Sequence, residues 1–440
     1  MIFFAFLLLI LLLFRMVRAY GWGSVIHPGL WFSIAWIAAF LSYWAIDAAG
    51  GVPVYSPDVL DQLMVLVSIT AFSFLSLTFL LPLSLQRSTS SAYLKNHFLT
   101  NVGPYKYFAF IGLIGSIGNW IALGANFGYV DSIRQQWLSG IPPITALMWY
   151  LYFLSYPAAI IAGRMFFSDV LKGHSVFRRR LMYWMLPCIS GFFWSLGTGG
   201  RQALGIILFH FVVGAAFSLG WATRSGYKIP VKRTVKLISI TFFVIFLFSL
   251  FVGLTGLSRA KQQGAAASSF DDIWYLAPVG QLISYTGLTL ATHQAYGEPV
   301  ARDLRETGPI SLAGFQYFGL RFITGWRHLT IDDTNPERAL AASGLDLASG
   351  TRNVFYDFQA DFGFFGAALV SLTLVIVSHL LFIRSRFLAS HKLLAATPLA
   401  MMIMFWGYSH QFSLFMFNTF FWLFVSCALW DITLRLYKKR

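Results

Sequence analysis

Residues 181–221 read LMYWMLPCISGFFWSLGTGGRQALGIILFHFVVGAAFSLGW, and this stretch decides the class of fold. Its two apolar runs, Leu181–Leu196 and Ala203–Trp221, are each about long enough to cross the hydrocarbon core of a bilayer as a helix. Between them stand glycines, a threonine and one charged residue, Arg201. The pattern predicts two antiparallel membrane helices joined by a tight turn that carries a guanidinium group.

Similar apolar blocks recur along the whole chain. Of the 440 residues, 57% are hydrophobic and 11% are charged, which excludes an ordinary soluble globular protein. Backbone groups in lipid must be hydrogen-bonded within their own segment, so these blocks are expected to be helices. We therefore predict an all-α, polytopic membrane bundle, a single domain over residues 1–440 with about eleven spans. The spans are residues 1–14, 29–47, 62–83, 107–124, 144–163, 181–197, 202–222, 237–256, 362–383, 393–408 and 412–431.

The net charge of +15 is a topology signal and not a nucleic-acid footprint. With the N-terminus outside, 22 of the 32 Lys and Arg residues fall in segments on the inner side, together with only two of the 17 acids. Cytoplasmic loops of membrane proteins carry such an excess of basic residues. The first segment has no basic residues before its apolar run and no small-residue cleavage site. We therefore interpret it as an uncleaved first helix and not as a signal peptide.

The longest external connection is residues 257–361. It is rich in aromatic residues and divided by prolines, and residues 312–323 place their apolar side chains on one face at helical spacing. This pattern predicts a folded, partly helical lid. Cys188 and Cys427 lie in apolar runs without a CxxC or histidine partner, so neither a disulfide framework nor a zinc site is indicated. The chain also lacks the Walker A, HExxH and GxSxG motifs.

External basic residues are almost all arginine. Nine of the ten are Arg, and Lys261 is the exception. Arg201, Arg259 and Arg352 each follow glycine and hydroxyl residues at a junction of loop and helix. Because a guanidinium can bind phosphate oxygens with two parallel hydrogen bonds, the set is suited to line an external phosphate site. The alternative for each is an arginine that simply extends to the lipid headgroups.

Three residues are candidates for acid–base chemistry. Asp357 and Asp361 lie four apart just before the ninth predicted span, so in a helix they share one face. They are either a base and its partner, or ion-pair partners of Arg352. His410 is expected on the last external turn, within reach of the same site. The other histidines are weaker candidates, and we interpret His210 and His379, inside apolar helices, as packed core residues.

Together these features resemble the Wzy-type oligosaccharide repeat-unit polymerases. The resemblance covers about residues 181–410. It is carried by the turn Gly199-Gly200-Arg201-Gln202, by the loop start Thr255-Gly-Leu-Ser-Arg259, and by Arg352-Asn353-Val354 and Asp361-Phe362-Gly363 before the next helix. Membership would imply transfer of a growing glycan from polyprenyl diphosphate to a new lipid-linked repeat unit, without a nucleotide sugar, a metal or another cofactor.

On this resemblance, Arg201 and Arg259 would bind the two diphosphates and Arg352 would act as a third clamp. The base would be Asp361, Asp357 or His410. The substrate-binding residues would be Gly199, Gly200, Gln202, Ser258, Asn353 and Arg321. The partners would be undecaprenyl-diphosphate-linked donor and acceptor glycans, with a chain-length regulator (co-polymerase) and a flippase in the same membrane.

The implied location is the bacterial inner membrane. The N-terminus and the active face would be periplasmic, and the C-terminus would be cytoplasmic. Two alternatives remain. An O-antigen ligase shares the topology and the donor but transfers its glycan once. A lipid-linked oligosaccharide flippase or another transporter moves its substrate without making a bond, and would be expected to hold charge within a central cavity and to show repeated halves.

Overall fold

The computed structural model describes residues 1–48, 57–80, 103–122, 143–172, 180–198, 202–224, 353–385, 392–411 and 414–438, with a few single residues between 230 and 293. These ranges are helical and contain no strand. The helices in chain order are α1 Ile2–Tyr20, α2 Pro28–Ala48, α3 Pro57–Leu80, α4 Tyr105–Ala122, α5 Pro143–Phe153, α6 Ser155–Lys172, α7 Arg180–Thr198, α8 Gln202–Arg224, α9 Val354–Ile383, α10 Leu393–Gly407 and α11 Leu414–Lys438. Short 3₁₀ turns follow α1 at Gly21–Ile26 and α10 at Ser409–Gln411.

Seven helical stretches of the described chain are long and apolar enough to cross a membrane. They are Ile2–Ile26, Pro28–Ala48, Asp58–Leu80, Leu147–Val170, Ala203–Gly220, Val354–Ile383 and Thr419–Tyr437, and Leu393–Gly407 is a shorter apolar helix. The prediction of an all-helical membrane protein is thereby confirmed. The predicted fourth and sixth spans are the helices α4 and α7, which are not among the seven. The predicted eighth span and most of the lid, residues 257–361, lie outside the described residues.

The chain divides into two compact units. The first contains Met1–Ser84, Ile283–Ser385 and Met401–Trp422, and the second contains Leu85–Leu282, Arg386–Ala400 and Leu423–Arg440. Within the first unit, α1 packs against α2 and α3, and α9 packs against α3. Within the second, α8 packs against α6 and α7, and α4 packs against α5, α6 and α7.

Proline interrupts the fifth predicted span. The sequence predicts one continuous helix over residues 144–163, whereas α5 ends at Phe153 and α6 begins at Ser155. Pro157 lies at the third position of α6, where its missing N–H costs nothing, but its ring would collide with the carbonyl of Phe153 in an unbroken helix. The break at Leu154 removes that collision.

A second proline, Pro187, lies inside α7 without ending it. Proline has no N–H to donate to the carbonyl four residues earlier, which here belongs to Tyr183. The hydroxyl of Tyr105, at the start of α4, donates to that carbonyl at 2.7 Å. The hydrogen bond that α7 lacks is therefore replaced from a neighbouring helix.

Two glycines bring α6 and α8 into close contact. A Cβ atom on Gly163 would collide with the carbonyl oxygen of Phe211, and one on Gly214 would collide with that of Ile160. Small residues of this kind allow the backbones of membrane helices to approach closely. The packing of the second unit therefore depends on glycine at both positions.

Helix α9 contains the one interior backbone break assigned within the described helices. Gly363 has φ 69° and ψ 179°, so the helical geometry stops there and resumes at once. Positive φ at this position favours glycine. The break separates a short helical segment, 354–362, from the longer apolar part of α9.

Candidate functional site

The described chain contains part of the predicted site. Asp357, Asp361, Asn353 and His410 are described with their side chains, and Gln202 is described only as the first residue of α8. The remaining predicted residues, Arg201, Arg259, Arg352, Gly199, Gly200, Ser258 and Arg321, lie outside the described residues. The described side chains of the candidate site, with both carboxylates, therefore belong to the first unit.

Asn353 begins the helix that carries both aspartates. Its backbone is extended, with φ −92° and ψ 160°, and its Oδ1 accepts a hydrogen bond from the N–H of Tyr356 at 3.0 Å. This is the usual role of an N-cap asparagine. Because Oδ1 is occupied, the other end of the amide, Nδ2, is the atom that lies 3.0 Å from Nδ1 of His293. Both ends of the Asn353 side chain are thus engaged within the protein and not free for a substrate.

These contacts define the proton positions on His293. Since Nδ2 of Asn353 can only donate, Nδ1 of His293 accepts and the ring proton is on Nε2. The side-chain amide of Gln359 is also hydrogen-bonded to His293. Gln359 in turn donates from Nε2 to Oε1 of Gln62 in α3 at 3.3 Å, which leaves its own oxygen for the histidine. The four side chains form one chain of hydrogen bonds with a consistent direction, which we call the Asn353–Gln62 relay.

The relay joins His293 and Asn353, sixty residues apart in the chain, to α3 of the first unit. Residues just before His293 also contact α2. Thr286 bonds to Ser42 of α2 at 2.9 Å, and Gly287 lies so close to α2 that an added Cβ would be 2.8 Å from the backbone nitrogen of Tyr43. His293 is buried, and this burial lowers its pKa to about 4. It is therefore neutral near pH 7 and serves as a structural group in this arrangement.

Asp357 and Asp361 lie in one helical segment, four residues apart, as the sequence predicts. Their environments differ. The Asp357 side chain is 1% exposed, whereas that of Asp361 is partly exposed and lies two residues before the break at Gly363. A general base must reach the proton that it removes. Asp361 is therefore the accessible carboxylate of the two.

This segment lies beside the middle of α2, and its helix begins at Val354, before the predicted start of the ninth span at residue 362. The ring of Phe355 lies 5.4 Å from that of Trp36 and 6.4 Å from that of Phe32. Trp36 is twelve residues before the end of α2 at Ala48, a distance of roughly 18 Å along a helix. The first turn of α9 thus packs well inside the length of α2.

His410 reaches the same part of α2. Its neighbour Ser409 accepts a hydrogen bond from Nε1 of Trp36 at 2.9 Å and donates one to the carbonyl of Trp406 at 2.8 Å. His410 is predicted on an external turn, and the contacts of Ser409 place this 3₁₀ turn beside the middle of α2. Trp36 therefore contacts both Phe355 and Ser409, and brings the helix of the aspartates and the turn of His410 together.

The His410 side chain is 8% exposed, and its Nδ1 has no hydrogen-bond partner among the residues that the structure describes. Burial lowers its pKa to about 4, so the ring is neutral near pH 7. The His410 side chain is nearly enclosed, whereas that of Asp361 is partly exposed. Because a base must reach the proton that it removes, Asp361 is the more accessible of the described candidates.

The two histidines interpreted as core residues are buried. His379 lies 3.1 Å from His27, through Nδ1 and Nε2, at the corner between α1 and α2. His210 stacks on Tyr156 and bonds through Nδ1 to the carbonyl of Ile206 at 2.7 Å. Sequence reasoning missed His27 as a partner of His379. It also missed Gln62 and Gln359, because a single glutamine at a helix end carries no signal of its partner.

In the second unit, the helices that flank residues 199–201 are tied to each other. The N–H of Leu204 in α8 donates to Oγ of Ser195 in α7 at 2.9 Å. The hydroxyl of Tyr152 donates to the carbonyl of Ala203 at 3.2 Å, and its ring stacks on Trp194 with centroids 4.4 Å apart. The two helix ends that flank Arg201 in the chain are therefore fixed to each other by hydrogen bonds.

No protein-family model matches the chain, and no curated protein or solved structure is similar to it.

Proposed function

We propose that the chain is a glycosyltransferase that polymerises polyprenyl-diphosphate-linked oligosaccharide repeat units at the outer face of a bacterial inner membrane. The observation that carries the proposal is the position of Asp361. It is a partly exposed carboxylate on a helix that is fixed to the bundle by the Asn353–Gln62 relay. That helix starts directly after Arg352, at the end of the long loop.

The phosphate-binding groups of this proposal are arginines that are assigned from their sequence positions. A diphosphate leaving group develops charge as the glycosidic bond breaks, and arginine is well suited to stabilise it. Arg352 precedes the Asn353 cap by one residue, and Arg201 lies between the ends of α7 and α8. We assign Arg201 and Arg259 to the two diphosphates and Arg352 to a third contact.

In the proposed reaction, Asp361 removes the proton from a hydroxyl of the acceptor sugar. The resulting oxygen attacks the anomeric carbon of the donor, and a new glycosidic bond forms. The bond between that carbon and the diphosphate oxygen breaks, and polyprenyl diphosphate leaves with the electron pair, stabilised by guanidinium groups. Asp357, buried one turn earlier, positions the helix and does not touch the acceptor.

A transporter of lipid-linked oligosaccharides is the second candidate. The break at Gly363 favours it, because interrupted helices mark the binding sites of many transporters. The buried carboxylate of Asp357, in the helical segment before that break, also favours a transporter. An O-antigen ligase uses the same chemistry as a polymerase and differs only in its acceptor.

The test is reconstitution of the purified chain with undecaprenyl-diphosphate-linked repeat units and a chelator. We expect a ladder of glycans of increasing length. A single product that appears only with a lipid A core acceptor would identify a ligase. Movement of intact substrate across vesicles without any new bond would identify a transporter. The variant Arg201→Lys, at normal protein level, should nearly abolish the ladder, and polymers of normal length from it would contradict the phosphate role of Arg201.

A further inference from the structure

Two arginines of α1 lie beside the C-terminal end of α3, in the first unit. Arg15 is half-buried, and Arg18 is exposed three residues later, on the same side of the helix. This end of α1 is remote from its N-terminus, where the Met1 amine pairs with Asp61 of α3 at 3.9 Å. The charge pattern predicts that the arginine end faces the cytoplasm.

Arg15 is held in the groove between the two helices. Its Nη2 donates a long hydrogen bond of 3.5 Å to the carbonyl of Thr78, in the last turn of α3. Its guanidinium carbon lies 4.1 Å from the centre of the Phe79 ring. Carbonyls at a helix C-terminus carry partial negative charge, and an aromatic face attracts cations. The guanidinium is therefore oriented before any ligand arrives.

These contacts leave most of the binding capacity of Arg15 unused. A guanidinium has five N–H donors, and the Thr78 contact engages only one nitrogen. Its Nε is buried and finds no acceptor among the described residues. Among the residues that the structure describes, no carboxylate forms an ion pair with Arg15 or Arg18. The site therefore has two positive charges without a partner of opposite sign in the described structure.

Exposed apolar residues adjoin these groups in the chain. Phe14, next to Arg15, is 62% exposed; Phe79 is 58% exposed, and its neighbour Leu80 is 73% exposed. On a helix that crosses a membrane, such residues face lipid chains. A ligand that fits both the charge and these apolar residues has an anionic head and an apolar chain.

We propose that the groove between α1 and α3 binds an anionic glycerophospholipid of the surrounding membrane. Arg15 holds the headgroup phosphate, Arg18 contributes charge from the next turn, and an acyl chain lies against Phe14 and Phe79. Basic pockets between membrane helices bind lipid headgroups in this way. The site is separate from the proposed glycosyl transfer, and it takes a phosphate only as part of a lipid.

Native mass spectrometry of the detergent-purified full chain tests the site, with phosphatidylglycerol compared to phosphatidylethanolamine. We expect retention of one phosphatidylglycerol, and roughly tenfold weaker retention in Arg15→Gln because a charge-assisted contact is lost. Retention by Arg15→Lys should lie between that of the wild type and that of Arg15→Gln, since lysine keeps the charge but lacks the planar guanidinium. Equal retention of the two lipids by the wild-type chain would overturn the proposal.

Arg384→Gln is the matched control, because Arg384 is exposed and lies in the same unit at the end of α9. Equal loss of lipid in this variant would show a general charge effect and overturn the site. Should Arg15→Gln fail to fold, Arg18→Gln replaces an exposed side chain and should still weaken retention of phosphatidylglycerol. Displacement of the lipid by glycerol phosphate would show that the groove binds free phosphate and would also overturn the proposal.

Discussion

The side-chain amide of Asn353 donates a hydrogen bond of 3.0 Å to Nδ1 of His293, sixty residues earlier in the chain. The same asparagine caps α9 through its oxygen. The contact joins residue 353 to residue 293, and it orients the helix that carries both candidate aspartates. It depends on a neutral histidine with its proton on Nε2.

Replacing Asn353 with alanine should destabilise the first unit. The change removes the N-cap, worth about 1 kcal/mol, and leaves a buried histidine nitrogen without its donor. We expect a lower temperature of unfolding, measured by tryptophan fluorescence in detergent. Asn353→Ser keeps an uncharged capping oxygen but loses the amide donor, so its loss of stability should be smaller. An Asn353→Ala protein as stable as the wild type would contradict the role of the relay.

Stability should fall as the pH is lowered from about 6.5 towards 4. The pKa values of His293 and His410 are lowered to about 4 by burial, from an ordinary value of 6.5. Between these limits the unfolded chain binds protons that the folded chain does not, so protonation favours unfolding. Each histidine contributes at most roughly 3 kcal/mol to this effect at the acidic end.

The measurement is the unfolding temperature from pH 7.5 to pH 4.5. His293→Gln and His410→Gln should each make this dependence shallower than in the wild type, because glutamine does not titrate. Carboxylates titrate in all of these proteins and cancel in the comparison. An unchanged pH dependence in the double variant would contradict the assigned pKa values.

Tyr105→Phe should destabilise the second unit by about 1 kcal/mol, since the carbonyl of Tyr183 would lose the hydroxyl that replaces the missing N–H. Pro187→Ala restores a backbone N–H for the same carbonyl. In that background the loss of the Tyr105 hydroxyl should therefore cost much less. A double-mutant cycle on the free energy of unfolding measures this coupling. Equal costs in both backgrounds would refute the link between Tyr105 and Pro187.

Gly163→Ala should disrupt the contact between α6 and α8, because the new Cβ collides with the backbone carbonyl of Phe211. We expect a loss of stability of at least about 1 kcal/mol, in the range of overpacked cores. Gly23→Ala is a suitable control, since its Cβ would meet only an ordinary contact of 3.9 Å with Tyr20. The measurement is thermal unfolding of both variants in detergent. Equal stability of the two variants would be evidence against the close contact of the α6 and α8 backbones.

Asp361→Asn should reduce glycan elongation at least a hundredfold in the reconstituted assay, as expected for loss of a general base. Its unfolding temperature should stay near that of the wild type, because the side chain is partly exposed. Asp357→Asn changes a buried group and should act mainly through stability. Normal elongation by Asp361→Asn would exclude this residue as the base, and His410 would then be the described candidate for that role.

Much of the candidate site could not be read from the sequence. The spacing of Asp357 and Asp361 predicted their shared helix correctly, because helical periodicity is local. Their different exposure was not predictable, since it depends on residues that pack against α9 from other parts of the chain. Asn353 shows the same limit: its position before a helix was visible, but its bond to His293 was not.

A helical chain suited to a membrane follows from the sequence alone, because apolar length and the need to satisfy backbone hydrogen bonds within lipid leave little choice. The break at Leu154 and the contacts between distant residues are visible only in the folded chain: Trp36 contacts both Phe355 and Ser409, and Tyr105 replaces the donor missing at Pro187. Such contacts join residues distant in the chain, and no local pattern specifies which polar group meets which.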